Sequence, residues 1–322
     1  MREVRLGDSG VVTTALGFGC GQLLRVASAR ERERLLGVAF DAGVRHFDVA
    51  RSYGLGAAEA ELGRFARGRR DQLVIATKFG IEVSAAAGRL RALQGLARRV
   101  LNAMPALRAL LRPRGGAVLA PRRHDAATAR ASLETSLREL GTDSVDLFLL
   151  HEPTLEGVEG AGVLAFLEDA RREGKIRAFG VAGPFDEALR IDRALPALTP
   201  VLQVPTDALS RHVEHAARRP GQGLVLFSVL SGAIDTIVRH AGRDDATRRR
   251  WREAVGVDCA SPDALAPLLL RYGLAANPAG VVLFSTTRAA RIPALAAAAD
   301  VGDHSDSLAA LVARVDEARD GD

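Results

Sequence analysis

His46, Phe47, Asp48, Val49, Ala50, Arg51, Ser52, Tyr53 and Gly54 follow one another directly behind a helix-stopping Gly43. The apolar run Val44 to Val49 has the length of a buried strand and delivers Asp48 to its carboxyl end. Tyr53 follows five residues later, so an acid and a phenol share one strand mouth. The chain has two tyrosines, Tyr53 and Tyr272, and its two lysines are Lys78 and Lys175. Arginine supplies the other 42 of the 44 basic residues, so a position indifferent to the kind of cation would be arginine here. Lys78 stands at the end of the next strand and His151 at the end of the one after it. Four polar residues at the ends of three successive apolar strands point to a chemical site at one end of a parallel sheet. The simpler alternative is four unrelated strand ends exposed to solvent.

Working outward, residues 2–13 read as a β-hairpin with Gly7, Asp8, Ser9 and Gly10 at its turn. A first core strand spans Ala15 to Gly19. Ser28 and Glu31 form a capping box that opens a helix with Leu35, Leu36, Ala39 and Phe40 on its apolar face. After Val44 to Val49 come a helix Ala57 to Arg67, a strand Leu73 to Thr77, a helix capped by Asp125 and ended by Gly141, and a strand Val145 to Leu150. The alternation continues with helix Val163 to Glu173, strand Ile176 to Val181, helix Asp186 to Ala194 and strand Val201 to Val204. A short helix Ser210 to Arg218, strand Leu224 to Ser228, helix Pro262 to Tyr272, strand Val281 to Phe284 and helix Arg291 to Ala299 complete it.

Eight near-continuously apolar strands, each followed by a helical pattern, require burial on both faces of an all-parallel sheet. The reading is therefore an α/β protein, a (β/α)8 TIM barrel with an N-terminal β-hairpin and a long insertion after strand three, in one domain over residues 1–322. A doubly wound sheet is the runner-up, but Gly17, Gly19 and Gly21 imitate its glycine-rich turn only weakly. In the insertion, residues 81–124, nine arginines stand between Val83 and His124 with no acidic residue, interleaved with leucines. It reads as a basic amphipathic segment over the barrel mouth, with a surface loop with helical turns, a substrate-covering lid and a membrane-surface or partner contact as the alternatives.

The net charge of +5 suggests nucleic acid at first sight, but 39 acidic residues are interspersed with the bases, and no nucleic-acid partner is expected. Cys20 and Cys259 match no disulfide or metal-ligand spacing. His212 and His215 sit three apart without a third ligand, so they read as a solvated helix face, and no metal is expected. There is no apolar run long enough to span a bilayer and no leader-like N-terminus, so a cytoplasmic location is expected. Nothing in the pattern points to a particular oligomeric state.

Taken together, Leu16 to Gly19, Asp48 to Gly54, Ala76 to Gly80, Leu149 to His151 and Gly180 to Gly183 resemble, in order, the motifs of the aldo-keto reductase family. The resemblance covers nearly the whole chain. It implies that Tyr53 is the general acid toward a carbonyl oxygen, that Lys78 makes the phenol more acidic, that Asp48 holds the ammonium, and that His151 orients the carbonyl. A free phenol has a pKa near ~10, too high for ready proton exchange at neutral pH, hence the need for a cation. The bland alternatives are a structural Asp48–Lys78 ion pair and a strand-end histidine.

The resemblance also implies NADPH as cofactor, with NADH as the second choice, lying across the barrel mouth. Gln203 matches the residue that binds the carboxamide and Phe227 the aromatic that stacks on the nicotinamide, with simple packing as the alternative for Phe227. Ser228, Leu230 and Gly232 match the pyrophosphate loop, and Ser285, Thr286, Thr287, Arg288 and Arg291 the segment around the adenosine phosphate. Three departures stand out: Ala182 and Gly183 replace a Ser-Asn pair, Ala294 and Leu295 replace a Glu-Asn pair, and Val229 replaces a proline. The implied function is reduction of an aldehyde or ketone, or oxidation of the corresponding alcohol or sugar, on a small-molecule substrate. The alternatives are a non-catalytic nucleotide-sensing protein of the same fold and a lyase using Lys78 as a Schiff-base nucleophile. Phe18, Phe79, Phe185 and Trp251 are the aromatics expected to line a substrate pocket.

Overall fold

The computed structural model describes residues 1–82, 122–214, 219–299 and 304–320. The strands among them are β1 (Glu3–Arg5), β2 (Val12–Thr14), β3 (Leu16–Gly19), β4 (His46–Asp48), β5 (Val74–Phe79), β6 (Val145–His151), β7 (Ile176–Ala182), β8 (Val201–Pro205), β9 (Gly223–Phe227) and β10 (Val281–Phe284). β3 to β10 pair in chain order, and β10 closes on β3, giving an eight-stranded barrel that is parallel throughout. Helices lie between successive barrel strands, as the (β/α)8 reading requires, except that the described residues between β8 and β9 hold only a 3-10 turn. β1 and β2 form the antiparallel N-terminal hairpin, with Glu3 opposite Thr14.

The local signals act as read. Ser28 accepts from the Glu31 amide while the Glu31 side chain returns to the Ser28 amide, opening the helix Ala29–Asp41. Asp125 accepts from the Thr128 amide at 2.8 Å to open Ala126–Leu140, and Gly141 ends it in the left-handed region at φ 66°.

Because strand residues alternate between faces, the barrel wall separates two apolar layers. Phe18, Phe47, Ile75, Phe148, Leu150 and Phe179 face outward and pack with Leu36, Leu62, Leu133 and Leu167. Val74, Ala76, Leu147, Leu149, Ala178, Val201, Val225 and Leu283 face inward. Burial of each such leucine or phenylalanine stabilises by about 1.5–3 kcal/mol. Val4, Leu6 and Val11 of the hairpin join the inner layer and plug the amino end of the barrel. The turn is tied there by the Asp8 amide on the Gly221 carbonyl at 2.7 Å. Gly7, at φ 54°, lies so close to Gly221 that a β-carbon would stand 2.2 Å from its oxygen.

Two parts of the chain depart from the sequence reading. Helices Ala233–Ala241, Asp245–Val255 and Ser305–Asp320 pack around Pro262–Ala276, where Trp251, Leu265, Leu269, Tyr272, Leu311 and Val315 form a third cluster. The expected helix Ser210 to Arg218 is a 3-10 turn at His212–Glu214, with residues 215–218, including His215, outside the described residues. The insertion expected at 81–124 lies outside them over residues 83–121.

Candidate active site

The same alternation that builds the inner layer places one inward residue at the top of each strand. In β4 the inward series is His46 and Asp48; in β5 it is Val74, Ala76 and Lys78; in β6 it ends on His151. In β7 it ends on Ala182, in β8 on Gln203 and in β9 on Phe227, with Ser285 immediately after β10. These tops converge on a cavity of about 530 Å³ at the carboxyl end of the barrel. Asp48, Tyr53, Lys78, His151, Gln203, Phe227, Ser228, Leu230 and Ser285 all line it.

Tyr53 reaches this cavity from the loop after β4. The Tyr53 amide returns to the Ala50 carbonyl at 3.1 Å, and Gly54, Leu55 and Gly56 then turn the chain through positive φ into the helix Ala57–Ala66. Gly54 allows the close approach of Leu24, whose Cγ would lie 2.4 Å from a β-carbon at residue 54. Leu55, at φ 58°, carries backbone strain of order 1 kcal/mol or more. Beneath the loop, the fully buried Glu59 accepts from Arg51 at 2.6 Å and from Thr77 at 2.7 Å.

At the centre, Lys78 Nζ donates to both oxygens of Asp48, at 2.6 and 2.7 Å, and to the Val49 carbonyl at 3.1 Å. It lies 5.1 Å from the Tyr53 ring centroid, and the Tyr53 and His151 rings meet edge to face at 5.9 Å. Burial alone would lower the Lys78 pKa, but Asp48, followed by Tyr53, more than offsets it and the net direction is up, so the ammonium keeps its charge. Burial also raises the Tyr53 phenol, while Lys78 pulls it partway back; the net direction is upward. The expected cation effect is therefore present but outweighed by desolvation. Burial, with Lys78, His124 and Arg122 adding to it, lowers His151 to about 3, so its imidazole is neutral at physiological pH. Cys20, buried beside this set, has its thiol pushed up by burial, which leaves it an inert packing group.

The remaining cofactor candidates divide. Gly232, Thr286, Thr287, Arg288 and Arg291 stand outside the cavity lining. Thr286 Oγ1 accepts from the Arg288 amide at 3.1 Å, so the loop after β10 is held in a side-chain-stabilised turn. Arg291 pairs with Asp263 at 2.7 Å. Gly232 precedes the helix Ala233–Ala241. Gln203 carries a buried side-chain oxygen without a hydrogen-bond partner, an acceptor suited to a carboxamide N–H. Ala182 at the end of β7 and Gly183 after it, beside Gln203, offer no side-chain donor. The residues present thus fit a nicotinamide coenzyme, with a thinner grip on the amide than a Ser-Asn pair would give.

The expected aromatic lining is corrected. Phe18 and Phe79 face the helices, Phe18 against Phe47 and Phe284 and Phe79 stacked on Phe148 at 4.7 Å. Phe79 follows inward Lys78 in the strand and so must face outward. Phe185 stacks on His212 at 4.6 Å, which leaves that histidine as a packing group, and Trp251 is buried against His240. The aromatic rings of the cavity are those of Tyr53 and Phe227, while the Phe284 ring packs on Phe18 in the outer layer. Gln22, Ser52, Arg122 and Glu152 also line the cavity and escaped the sequence reading. Glu152 could have been found from its place directly after His151.

The aldo/keto reductase family matches residues 15–317. This chain belongs to that family. Among curated aldo-keto reductases and their kin, it is 33% identical over 199 residues to a D-threo-aldose 1-dehydrogenase from a Pseudomonas species, covering 58% of this chain and 55% of that one. It is 29% identical over 177 residues to an NADP(+) aldo-keto reductase from Schizosaccharomyces pombe, covering 52% and 42%. The matches thus span about half the length of these relatives. A glycerol dehydrogenase from Gluconobacter oxydans has the same barrel, with a TM-score of 0.70 at 16% identity over 97% of this chain and 94% of that one.

Proposed function

We propose that the protein is an NADPH-dependent oxidoreductase that reduces a small aldehyde or ketone, or oxidises the corresponding alcohol or sugar. The observation that carries the reading is the cluster at the cavity floor: Lys78 bound by both oxygens of Asp48, with Tyr53 and His151 edge to face above it.

Nicotinamide coenzyme, when bound, supplies or accepts the hydride. Tyr53 donates its phenolic proton to the carbonyl oxygen during reduction and takes it back during oxidation. Lys78 stabilises the phenolate that this leaves, and Asp48 fixes the ammonium by two charge-assisted hydrogen bonds. His151, held neutral by its surroundings, gives an N–H to the same oxygen and aims the carbonyl. Gln203 receives the carboxamide, and Phe227 offers an aromatic face beside it. The turn at Ser285, Thr286 and Thr287 carries exposed Arg288, a cation suited to a 2′-phosphate; this favours NADPH over NADH. The NADP(+) in the name of the yeast relative supports the same choice.

Gln22, Ser52, Arg122 and Glu152 add polar groups to the cavity lining, which favours a hydroxylated substrate over a bulky apolar ketone. A sugar or polyol fits that lining, in keeping with the aldose named for the Pseudomonas relative. The Ala182 and Gly183 substitutions favour one competing reading, a protein that binds nucleotide without turning it over.

Titration with NADPH and NADH, followed by a panel of aldehydes and sugars, tests the proposal. Tight NADPH binding and turnover that Tyr53→Phe lowers by roughly 10²-fold or more are expected. Binding without turnover on any substrate would favour the sensing reading, and absence of binding would overturn both.

A further inference from the structure

The inner strand end that presents His151 is itself held by a residue outside the cavity lining. β6 ends at His151, and Glu152 turns the chain through φ 50°, its amide returning to the Ala182 carbonyl at 2.6 Å. That turn takes the His151 carbonyl out of the strand ladder, where it would be left without a backbone donor. His124 supplies one: its Nε2 lies 3.0 Å from the His151 carbonyl oxygen. A carbonyl can only accept, so Nε2 carries the proton.

His124 is itself set with little freedom. It is 4% exposed. Its ring packs on Phe79 at 6.0 Å between centroids. It lies over Gly80, at φ 108°, where a β-carbon would stand 2.1 Å from Nε2. The neighbouring Arg123 amide donates to the Gly80 carbonyl at 3.0 Å, which ties this stretch to the end of β5. Glycine at position 80 is therefore needed both for its backbone conformation and for the space His124 fills. The end of β5, which carries Lys78, and the end of β6, which carries His151, are paired in the sheet and are joined a second time through this imidazole.

We infer that His124 is a positioning residue: by donating Nε2–H to the His151 carbonyl, it fixes the strand end that aims the His151 imidazole at the substrate oxygen. The inference rests on the proposed role of His151, but the contact itself does not. A group misplaced by an ångström can cost on the order of 10²-fold in rate, so the hydrogen bond acts on turnover more than on binding.

Two variants separate positioning from packing. His124→Phe keeps an aromatic ring against Phe79 and removes the donor, whereas His124→Gln keeps an N–H near the position of Nε2. The expected result for His124→Phe is a kcat lower by roughly tenfold to a hundredfold with the NADPH dissociation constant unchanged, and His124→Gln should recover most of the loss. In a double-mutant cycle, His124→Phe added to His151→Ala should cost nothing further. Unchanged kcat in His124→Phe, equal loss in both variants, or additive losses in the cycle would each overturn the inference. If His124→Phe does not fold, His124→Asn, with an amide too short to reach, takes its place.

Nitrogen NMR of the His151 imidazole reads the contact without turnover. Its resonances should move in His124→Phe and stay near wild type in His124→Gln. If the wild-type protein turned over no carbonyl compound, the proposed function would fail while this measurement still decided the positioning; unmoved His151 resonances would overturn it.

Discussion

Arg51 Nη1 stands 2.6 Å from Glu59 Oε2 in a buried ion pair between the loop that carries Tyr53 and the first turn of the helix that follows it. Thr77, one residue before Lys78, binds the other oxygen of the same carboxylate at 2.7 Å. Removing one partner of such a buried pair leaves a charge without compensation, which costs about 3–5 kcal/mol. Glu59→Leu, which leaves the Arg51 guanidinium with only the Glu82 carboxylate at 3.7 Å, should lower the unfolding free energy by part of that amount in urea titration. Because the loop is released at the same time, kcat should fall even at temperatures where the variant is fully folded.

The interior of the barrel carries an acid-sensitive group at His46. It is fully buried, its Nε2 has no hydrogen-bond partner, and its Nδ1 lies 3.5 Å from Thr13 Oγ1. Burial lowers it to about 4 from 6.5, with Asp48 and Asp146 opposing and Lys78 assisting. A histidine depressed in the folded state takes up its proton first in the unfolded chain. Its contribution is therefore present above pH 6.5 and lost as pH falls toward 4, on the order of 3 kcal/mol in all. Unfolding measured across that range should show a shallower pH slope, by about one proton, in His46→Leu than in the wild type.

The pH dependence of turnover should differ between directions. Reduction needs the protonated phenol, and burial raises Tyr53 above its ordinary 10.0 despite Lys78. Reduction should then stay flat through neutral pH, while alcohol oxidation, which needs phenolate, climbs steadily into the alkaline range. His151, at about 3, should contribute no break between pH 5 and 8. Profiles of kcat/KM in both directions check this, and an alkaline fall in oxidation would contradict the assignment of Tyr53.

Gly183 offers room to restore what the chain lacks. A β-carbon there would meet the Glu152 Cα at 3.4 Å, an ordinary contact, and no positive φ stands in the way. Gly183→Asn should fold normally and tighten NADPH binding by about fivefold, the worth of one net hydrogen bond near 1 kcal/mol. Fluorescence titration of the coenzyme measures it; weaker binding would show that the carboxamide is held elsewhere.

The eight-strand barrel and the meeting of Asp48, Tyr53, Lys78 and His151 were legible because both follow from local pattern: apolar runs of strand length, and polar residues at the same end of each. Parity was the part left unused. Once Lys78 is taken as inward, Phe79 cannot line the pocket, and the same count puts Phe18 and Phe47 among the helices. The helix Asp245–Val255 was hidden by its arginines, although Asp244 caps it through the Thr247 amide and Gly256 ends it at φ 83°. Thr247, Trp251 and Val255 recur every four residues and are buried on its inner face. His124 had no sequence signal at all, since its meaning depends on the empty face of Gly80 and on a carbonyl 27 residues away.

The hairpin that seals the amino end makes the barrel a blind alley. Below Lys78 the interior is filled by Val74, Ala76, Leu147 and Leu149, and below them by Val4, Leu6 and Val11, so among the described residues the way to the ammonium is the cavity at the carboxyl ends. Molecules in such a passage queue: the one lying deeper enters first and leaves last. The three apolar side chains at the closed end thus leave the deeper of two molecules no second way out.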